Sequence, residues 1–423
     1  MSADQQVRQL VEHLFRHHAG QMLATLTHLF GLEHLDLVEE VVQESLILAL
    51  RQWPFQGIPD HPRAWLIQAA RNKALDVLRR RSTLRRIEPE LQQRLQQRQE
   101  QAEQADLPEF GELEDEQLAM IFVCCDPALA DEARVALTLK TVSGFSVAEI
   151  ARAFLVEEAT IAQRLVRAKR RIREGGFQLA LPSPAEIPGR LDSVMQVLYL
   201  LFNEGYGAHG GEDLVRGELC SEAIRLVQLL ALRPDTGLPK VHALLALLYF
   251  QAARLETRQD SAGNLLLLEE QDRSQWDQAL LMRGLHQLEL AAAGDELSEY
   301  HLQAAIASVH VTSPSFADTD WPRLVELYDL LFALAPSPVV ALNRSIALSM
   351  VAGPAAALKT LDELSLEPAL KNYHLLPAVR ADLLRRLGRL PEAATCYQQA
   401  IAAPCTDPER RFLQRRLQEL QCD

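Results

Sequence analysis

Two stretches of this chain carry residues suited to gripping nucleic acid. The first is EATIAQRLVRAKRRIR, ending at Arg173. Ile161, Leu165, Ala168 and Ile172 recur at helical intervals, which predicts one apolar face turned to a core. That spacing leaves Thr160, Gln163, Arg164, Arg167, Lys169, Arg170, Arg171 and Arg173 to face outward. A helix that is polar in its first turn and increasingly basic behind it suits the major groove: early side chains read base edges and later arginines hold phosphates. Ahead of it, Ser146 and Glu149 form an S-x-x-E pair that starts another helix. Ile150, Ala151 and Phe154 give that helix an inner face, with Ala151 small enough for a second helix to cross. The turn between them falls at Leu155-Val156-Glu157. The basic run alone is equally compatible with a solvated helix in an α-helical bundle. The capped first helix, small crossing residue and tight turn together favour a DNA-binding helix–turn–helix.

The second stretch pairs an acidic helix with a basic one. DLVEEVVQESLILALRQW, from Asp36 to Trp53, places Asp36, Glu39, Glu40 and Glu44 toward its start, where the helix dipole favours carboxylates. Leu37, Val41, Leu48 and Leu50 are expected on its buried side. The segment from Pro54 to Pro62 holds three prolines and a glycine, which predicts a loop that breaks the helix. A third helix is expected from Pro62, with Trp65, Leu66, Ala69, Ala70, Ala74, Val77 and Leu78 inward and Arg71, Lys73, Arg79, Arg80 and Arg81 basic. An exposed aromatic such as Phe55 beside a basic helix offers a stacking platform for unpaired bases. Taken singly, each helix also reads as an ordinary amphipathic element.

Other chemistries find little footing. Of the 12 histidines, His13, His17 and His18 cluster, but no carboxylate or cysteine is spaced to complete a ligand set. The six cysteines form no C-x-x-C pair and read as reduced, packed thiols. GYGAHGG, residues 205–211, follows a helical segment and lacks a phosphate-binding lysine, so it reads as an interhelical loop. No catalytic residue, metal or cofactor is expected.

The elements that must position these residues are helical throughout. Ala, Leu, Gln, Glu and Arg dominate, and the 423 residues are enough for several domains. Residues 4–30 carry apolar side chains at helical spacing, and 89–116 form an acidic, Gln-rich linker. A compact helical block covers 117–177, and 185–423 is helix after helix. Near the end, Gly353, Ala357, Leu361 and Pro368, then Ala381, Leu384, Gly388, Ala393, Tyr397, Ala400 and Pro404, follow a tetratricopeptide-like pattern. Upstream of about 330 no repeat register emerges. No run of about 20 apolar residues marks a membrane span, and the N-terminus lacks a secretory pattern, so a cytoplasmic protein is expected. The net charge of −14 opposes DNA binding on average, but the basic groups concentrate in two runs within the first 180 residues.

At this point a resemblance becomes specific. DLVEEVVQESLILALRQW with PRAWLIQAARNKALDVLRRR resembles region 2 of extracytoplasmic-function sigma factors, and SVAEIARAFLVEEATIAQRLVRAKRRIR resembles their region 4. LFNEGYG, LCSEAIRLVQLLAL, EQDRSQWDQAL, LQAAIASVH and SPVVALNRSIAL resemble the subgroup with a C-terminal tetratricopeptide-like extension. The resemblance implies an all-α chain: a region 2 helical bundle at 1–88, the linker at 89–116, a region 4 helix–turn–helix domain at 117–177 and the extension at 185–423. It implies a promoter-specificity subunit without an active site of its own. Asp36, Glu39, Glu40, Gln43 and Glu44 would dock on the clamp helices of the polymerase β′ subunit, and region 4 would meet the β flap. Phe55 and Gln56, in the loop from Pro54 to Asp60, would capture a flipped −10 base. Arg71, Asn72, Lys73, Asp76, Arg79 and Arg80 would line that promoter segment. The second helix of the later motif, through Thr160, Gln163, Arg164, Arg167, Lys169, Arg170 and Arg171, would read the −35 element. Apart from the resemblance, a helical-repeat extension is expected to present a concave surface to peptides or proteins, such as a regulatory protein, and either to hold the DNA-binding regions inactive or to contact polymerase during initiation. Leu155 stands where relatives often carry glycine, and Ala162 and Gln163 where Lys and Ser are frequent, so no −35 sequence transfers. A ligand-sensing DNA-binding regulator and a protein scaffold are the other classes the sequence allows, and the acidic helix with its loop favours the sigma reading over both.

Overall fold

The computed structural model describes residues 3–84, 110–154, 156–207, 217–367, 370–371 and 373–422. Among these, the regular elements are helices, with one isolated antiparallel bridge between Gln259 and Leu265. No helix among the described residues is long and apolar enough to cross a membrane. The chain divides into two compact units, Met1–Val197 and Leu198–Asp423.

In the first unit, α1 (Ala3–Phe30), α2 (Leu35–Gln56) and α3 (Pro62–Leu84) pack on one another. Leu35, Val38, Val42, Leu46, Ala49 and Trp53 of α2 are buried at three- and four-residue steps, with Leu37 and Val41 beside them. Leu48 and Leu50, expected inward, are more than a third exposed, because they lie off that stripe. Pro54 does not end α2. The helix continues to Gln56, since a proline in the last turn forgoes only one backbone bond, and Gly57 stops it at φ 87°. Trp53 meets Trp65 of α3 edge to face, with ring centroids 5.4 Å apart.

Most of the expected linker, 89–109, lies outside the described residues. Its last part is helical: α4 begins at Phe110 and runs to Cys124. Glu112, Glu114, Asp115 and Glu116 thus fall within its first turns. Every residue from Leu118 to Cys125 is at least 95% buried. A helix apolar on all sides belongs at a centre. Here α4 packs against α1 on one side and α5 (Asp131–Thr141) on another. The Thr25 hydroxyl of α1 donates to Glu116 at 2.6 Å. Gly20 of α1 faces the Val142 carbonyl with no room for even a methyl group.

The helix–turn–helix consists of α6 (Val147–Ala153) and α7 (Glu158–Glu174). The reciprocal cap forms as the S-x-x-E spacing predicts: Ser146 N–H donates to Glu149 Oε2 at 2.7 Å, and Glu149 N–H to Ser146 Oγ at 3.1 Å. Leu155 of the turn lies outside the described residues, while Val156 N–H reaches back to the Ala151 carbonyl at 3.0 Å. Ile161, Leu165, Ala168 and Ile172 are all buried. Glu157 precedes α7 with no side-chain cap.

The division between units falls inside α8 (Ile187–Tyr206) rather than before it. The first half of α8 is tied to the first unit. Arg190 donates to the Phe122 carbonyl at 2.9 Å and pairs with Asp126 at 2.8 Å, and Ser193 Oγ donates to the Cys125 carbonyl at 2.6 Å. Arg134 is buried between Ser193 and Asp131 and bonds to both.

The second unit continues through α9 (Gly217–Ala231), α10 (Pro239–Ala252), α11 (Gln278–Ala291), α12 (Glu299–Thr312), α13 (Trp321–Leu334), α14 (Pro338–Val351), α15 (Pro354–Leu364), α16 (Leu375–Arg386), α17 (Leu390–Ala402) and α18 (Asp407–Cys422). Gly353 (φ 83°) makes the α14–α15 turn and Gly388 (φ 73°) the α16–α17 turn, a conformation side chains disfavour. Ala357, Leu361, Ala381, Ala393 and Ala400 are fully buried, and Leu384 and Tyr397 nearly so. These are the small and large positions of the expected repeat, of which Pro368 lies outside the described residues. Upstream, where no register emerged, helix pairing continues: Gly284 of α11 lets the Phe250 ring of α10 approach to 2.6 Å from where a Cβ would stand.

Cys124, Cys125, Cys220, Cys396 and Cys405 are free and buried. Burial pushes all five thiols up, Cys125 and Cys220 to about 12.

Two substitutions check this packing. Gly20→Ala forces α1 off the Val142 backbone and should destabilise the first unit by about 1–3 kcal/mol, read as a lower urea midpoint. Ser146→Ala removes the reciprocal cap and should cost about 1 kcal/mol in the same measurement.

Candidate nucleic-acid interface

On α7, Gln163, Arg167, Arg170 and Arg171 are exposed, and Thr160 and Arg164 are half-buried. Arg170 donates to Glu174 one turn on at 2.8 Å. Lys169 departs from expectation. Its side chain is 12% exposed and turned to the start of α2, with Nζ 3.0 Å from Asp36 Oδ1 and 2.7 Å from Glu39 Oε2. Arg173, one turn later on the same stripe, donates to Asp36 Oδ2 at 3.2 Å. Helical spacing showed that these two cations avoid the core stripe of α7, but not that another helix waits on their side.

The acidic set is correspondingly divided. Asp36, Glu40 and Gln43 are exposed, whereas the Glu39 side chain is 11% exposed. Burial opposes the charge on Lys169, but Glu39 and Asp36 outweigh it and hold the ammonium above its ordinary value. The second oxygen of Glu39, Oε1, is buried with no hydrogen-bond partner. Glu44 pairs with Lys73 of α3 at 2.6 Å, joining a residue expected at the polymerase to one expected at the promoter.

At the end of α2, neighbouring aromatics take opposite paths: Trp53 is 2% exposed and Phe55 is 89% exposed. Gln56 is exposed beside it. Asn72, Lys73, Asp76, Arg79 and Arg80 line the open side of α3. Arg71, expected among them, is 7% exposed and lies in a hollow of about 270 Å³ with Gln68, Asn72, Leu75, Asp76 and Arg79. Its place one step from buried Ala70 draws its stem into the packed face, and its Nε has no partner. Gln68 Nε2 donates to the Asn72 side-chain oxygen at 3.1 Å across that hollow.

Sequence reasoning missed a cavity in the second unit. It measures about 690 Å³ and is lined chiefly by apolar residues, among them Leu268, Phe316, Trp321, Ile346, Met350 and Phe412. Burial lowers the His310 imidazole at its wall to about 4, with Arg254 and Arg273 adding to the effect. The wall draws on residues from 265 to 416, a separation that no local pattern encodes.

Comparison with known proteins fits this geometry. Residues 14–83 match the family model of sigma-70 region 2, and residues 121–172 match that of sigma-70 region 4. Residues 190–292 match a family of unknown function, DUF6596. The uncharacterized protein R00370 of Rhizobium meliloti (strain 1021) is 40% identical over 388 residues, covering 92% of this chain and 90% of that one. No solved structure matches. The helix bundle with its outward Phe55, the capped helix–turn–helix and the two region matches in this order place the chain in the sigma-70 family, as a sigma factor with regions 2 and 4 of the extracytoplasmic-function type and an additional C-terminal domain.

Proposed function

We propose that this chain binds core RNA polymerase through the acidic side of α2, opens promoters at a −10 element with Phe55 and α3, and reads a −35 element with α7. The observation that carries the reading is Phe55, a large ring held almost wholly in water at the end of α2, the helix that packs on the basic α3. Base–aromatic stacking is worth about 1–3 kcal/mol, and a base flipped from the duplex needs such a surface. Glu40 and Gln43 are the open members of the polymerase-facing set, and region 4 meets the β flap. Gln163, exposed in the first half of α7, reads base edges, while Arg167, Arg170 and Arg171 hold phosphates.

We assign the second unit, whose last helices follow the tetratricopeptide-like spacing, a regulatory or supporting role in initiation. A regulatory protein is its proposed partner, since stacked helix pairs present extended surfaces to other chains.

Run-off transcription with purified core polymerase tests the main reading. The whole chain should give promoter-dependent initiation, and Phe55→Ala should lower open-complex formation by roughly 5- to 150-fold, the equivalent of 1–3 kcal/mol. Transcripts that do not depend on the added chain would overturn it. For the second unit, a chain ending at Val197 keeps the ties of Arg190 and Ser193 to the first unit. Increased initiation by that chain means restraint by the missing part, and decreased initiation means a required contribution. Unchanged initiation rejects the proposed role.

A further inference from the structure

The cavity of the second unit is enclosed by more than stacked helices. Trp321 of α13 and Ile346 and Met350 of α14 stand on its wall, and so do Leu268, from the segment before α11, and Phe412 of α18. That segment and α18 are fastened to one another: Arg411 donates to the Gly263 carbonyl at 2.9 Å, and Arg416 to Glu270 at 3.3 Å. A stack of helix pairs ordinarily offers an open, extended surface. Here the fastened segments help to close one, and the space of about 690 Å³ is of the size that holds a single small molecule.

The polar groups of the wall point to the kind of molecule. Most of its charges are met within the protein: Arg385 pairs with Asp382 at 2.7 Å, and Glu409 lies 3.5 Å from His374 Nε2. His310 of α12 is different. Its ring meets Trp321 edge to face, with centroids 5.8 Å apart, and among the described residues no hydrogen bond reaches either ring nitrogen. Burial keeps the imidazole neutral, so one nitrogen carries an N–H. Arg273 stands behind it and donates to the His310 and Ser313 carbonyls at 2.5 and 2.6 Å. Arg254 and Arg273 both lie over the Trp276 ring, 5.5 and 4.8 Å from its centroid. Among the described residues neither arginine forms an ion pair, and Asp318 acts on Arg273 only from farther off. Two guanidinium charges that carbonyls do not neutralise make the wall at His310 electropositive.

We propose that this cavity binds a small molecule with an apolar body and one carboxylate group, its body against Trp321, Met350 and Phe412 and its carboxylate accepting a hydrogen bond from the His310 imidazole. The apolar part of the wall supplies affinity by withdrawing the body from water. The His310 N–H supplies direction. The field of Arg254 and Arg273 separates an anion from an uncharged acceptor such as an alcohol, and low-dielectric surroundings strengthen that separation. The site lies wholly in the second unit and does not depend on how the first unit meets DNA.

The test is isothermal titration calorimetry of the full chain with two probes of equal length, decanoate and 1-decanol. Decanoate should bind saturably at one site per chain and roughly 10-fold more tightly than decanol, although decanol is the more apolar of the two. His310→Phe keeps a ring against Trp321 and removes the N–H. It should erase the preference for decanoate and leave decanol binding in place. Met350→Trp and Ile346→Trp, each made at an exposed position on the wall, fill the space from its open side and should weaken both probes together. Absence of saturable binding by either probe would overturn the proposal. Equal affinity for the two, or a decanoate preference that survives His310→Phe, would overturn the assignment of a carboxylate. Binding unchanged in both tryptophan variants would place the probes outside the cavity and overturn it as well.

Discussion

A helical stretch with no polar side has one place to go, and the second half of α4 dictates the first unit on that ground. From Leu118 to Cys125 each of its side chains is withdrawn from water. Apolar burial contributes roughly 25 cal/mol per Å², so exposing even one face of this helix would cost several kcal/mol. The chain satisfies it by setting α1 on one side and α5 on another, which draws region 4 against region 2. The Gly20–Val142 approach and the Thr25–Glu116 bond follow from this closeness. So does the meeting of α7 with the start of α2.

Charge is organised around that core by position. The chain carries 57 acidic against 43 Lys and Arg residues, yet α7 and α3 present cations where the two promoter elements are proposed to lie. The acidic excess does not simply repel DNA. Near α7 it neutralises two of the cations directly, and on α2 it holds Lys73 through Glu44. Average charge therefore says little about how such a protein meets a polyanion, and the pairing pattern says more.

Local rules made much of this legible in the sequence. The S-x-x-E cap, the apolar stripe of α7, the start of α3 at Pro62 and the glycine turns at 353 and 388 are each set by neighbours within about a turn, and the helices obey them. Local spacing falls short where a distant element intervenes. It does not distinguish Leu48 and Leu50 from the stripe of α2 that meets α1 and α3. Pro54 is a local exception, because a last-turn proline lacks only one bond. For Arg71 and Lys169, sequence spacing names a face without naming its occupant. The cavity of the second unit lay beyond such reasoning for the same cause, since its wall is gathered from helices far apart in the chain.

The thiols have a consequence of their own. Oxidants and electrophiles attack sulfur as the thiolate, and only where they can reach it. Cys124 and Cys125 sit at the end of α4 with 1% exposure each, and burial suppresses ionisation there and at Cys220, Cys396 and Cys405. Burial therefore disfavours the reactive thiolate at all five sulfurs while the chain is folded, and an oxidant would reach them more readily where their surroundings open.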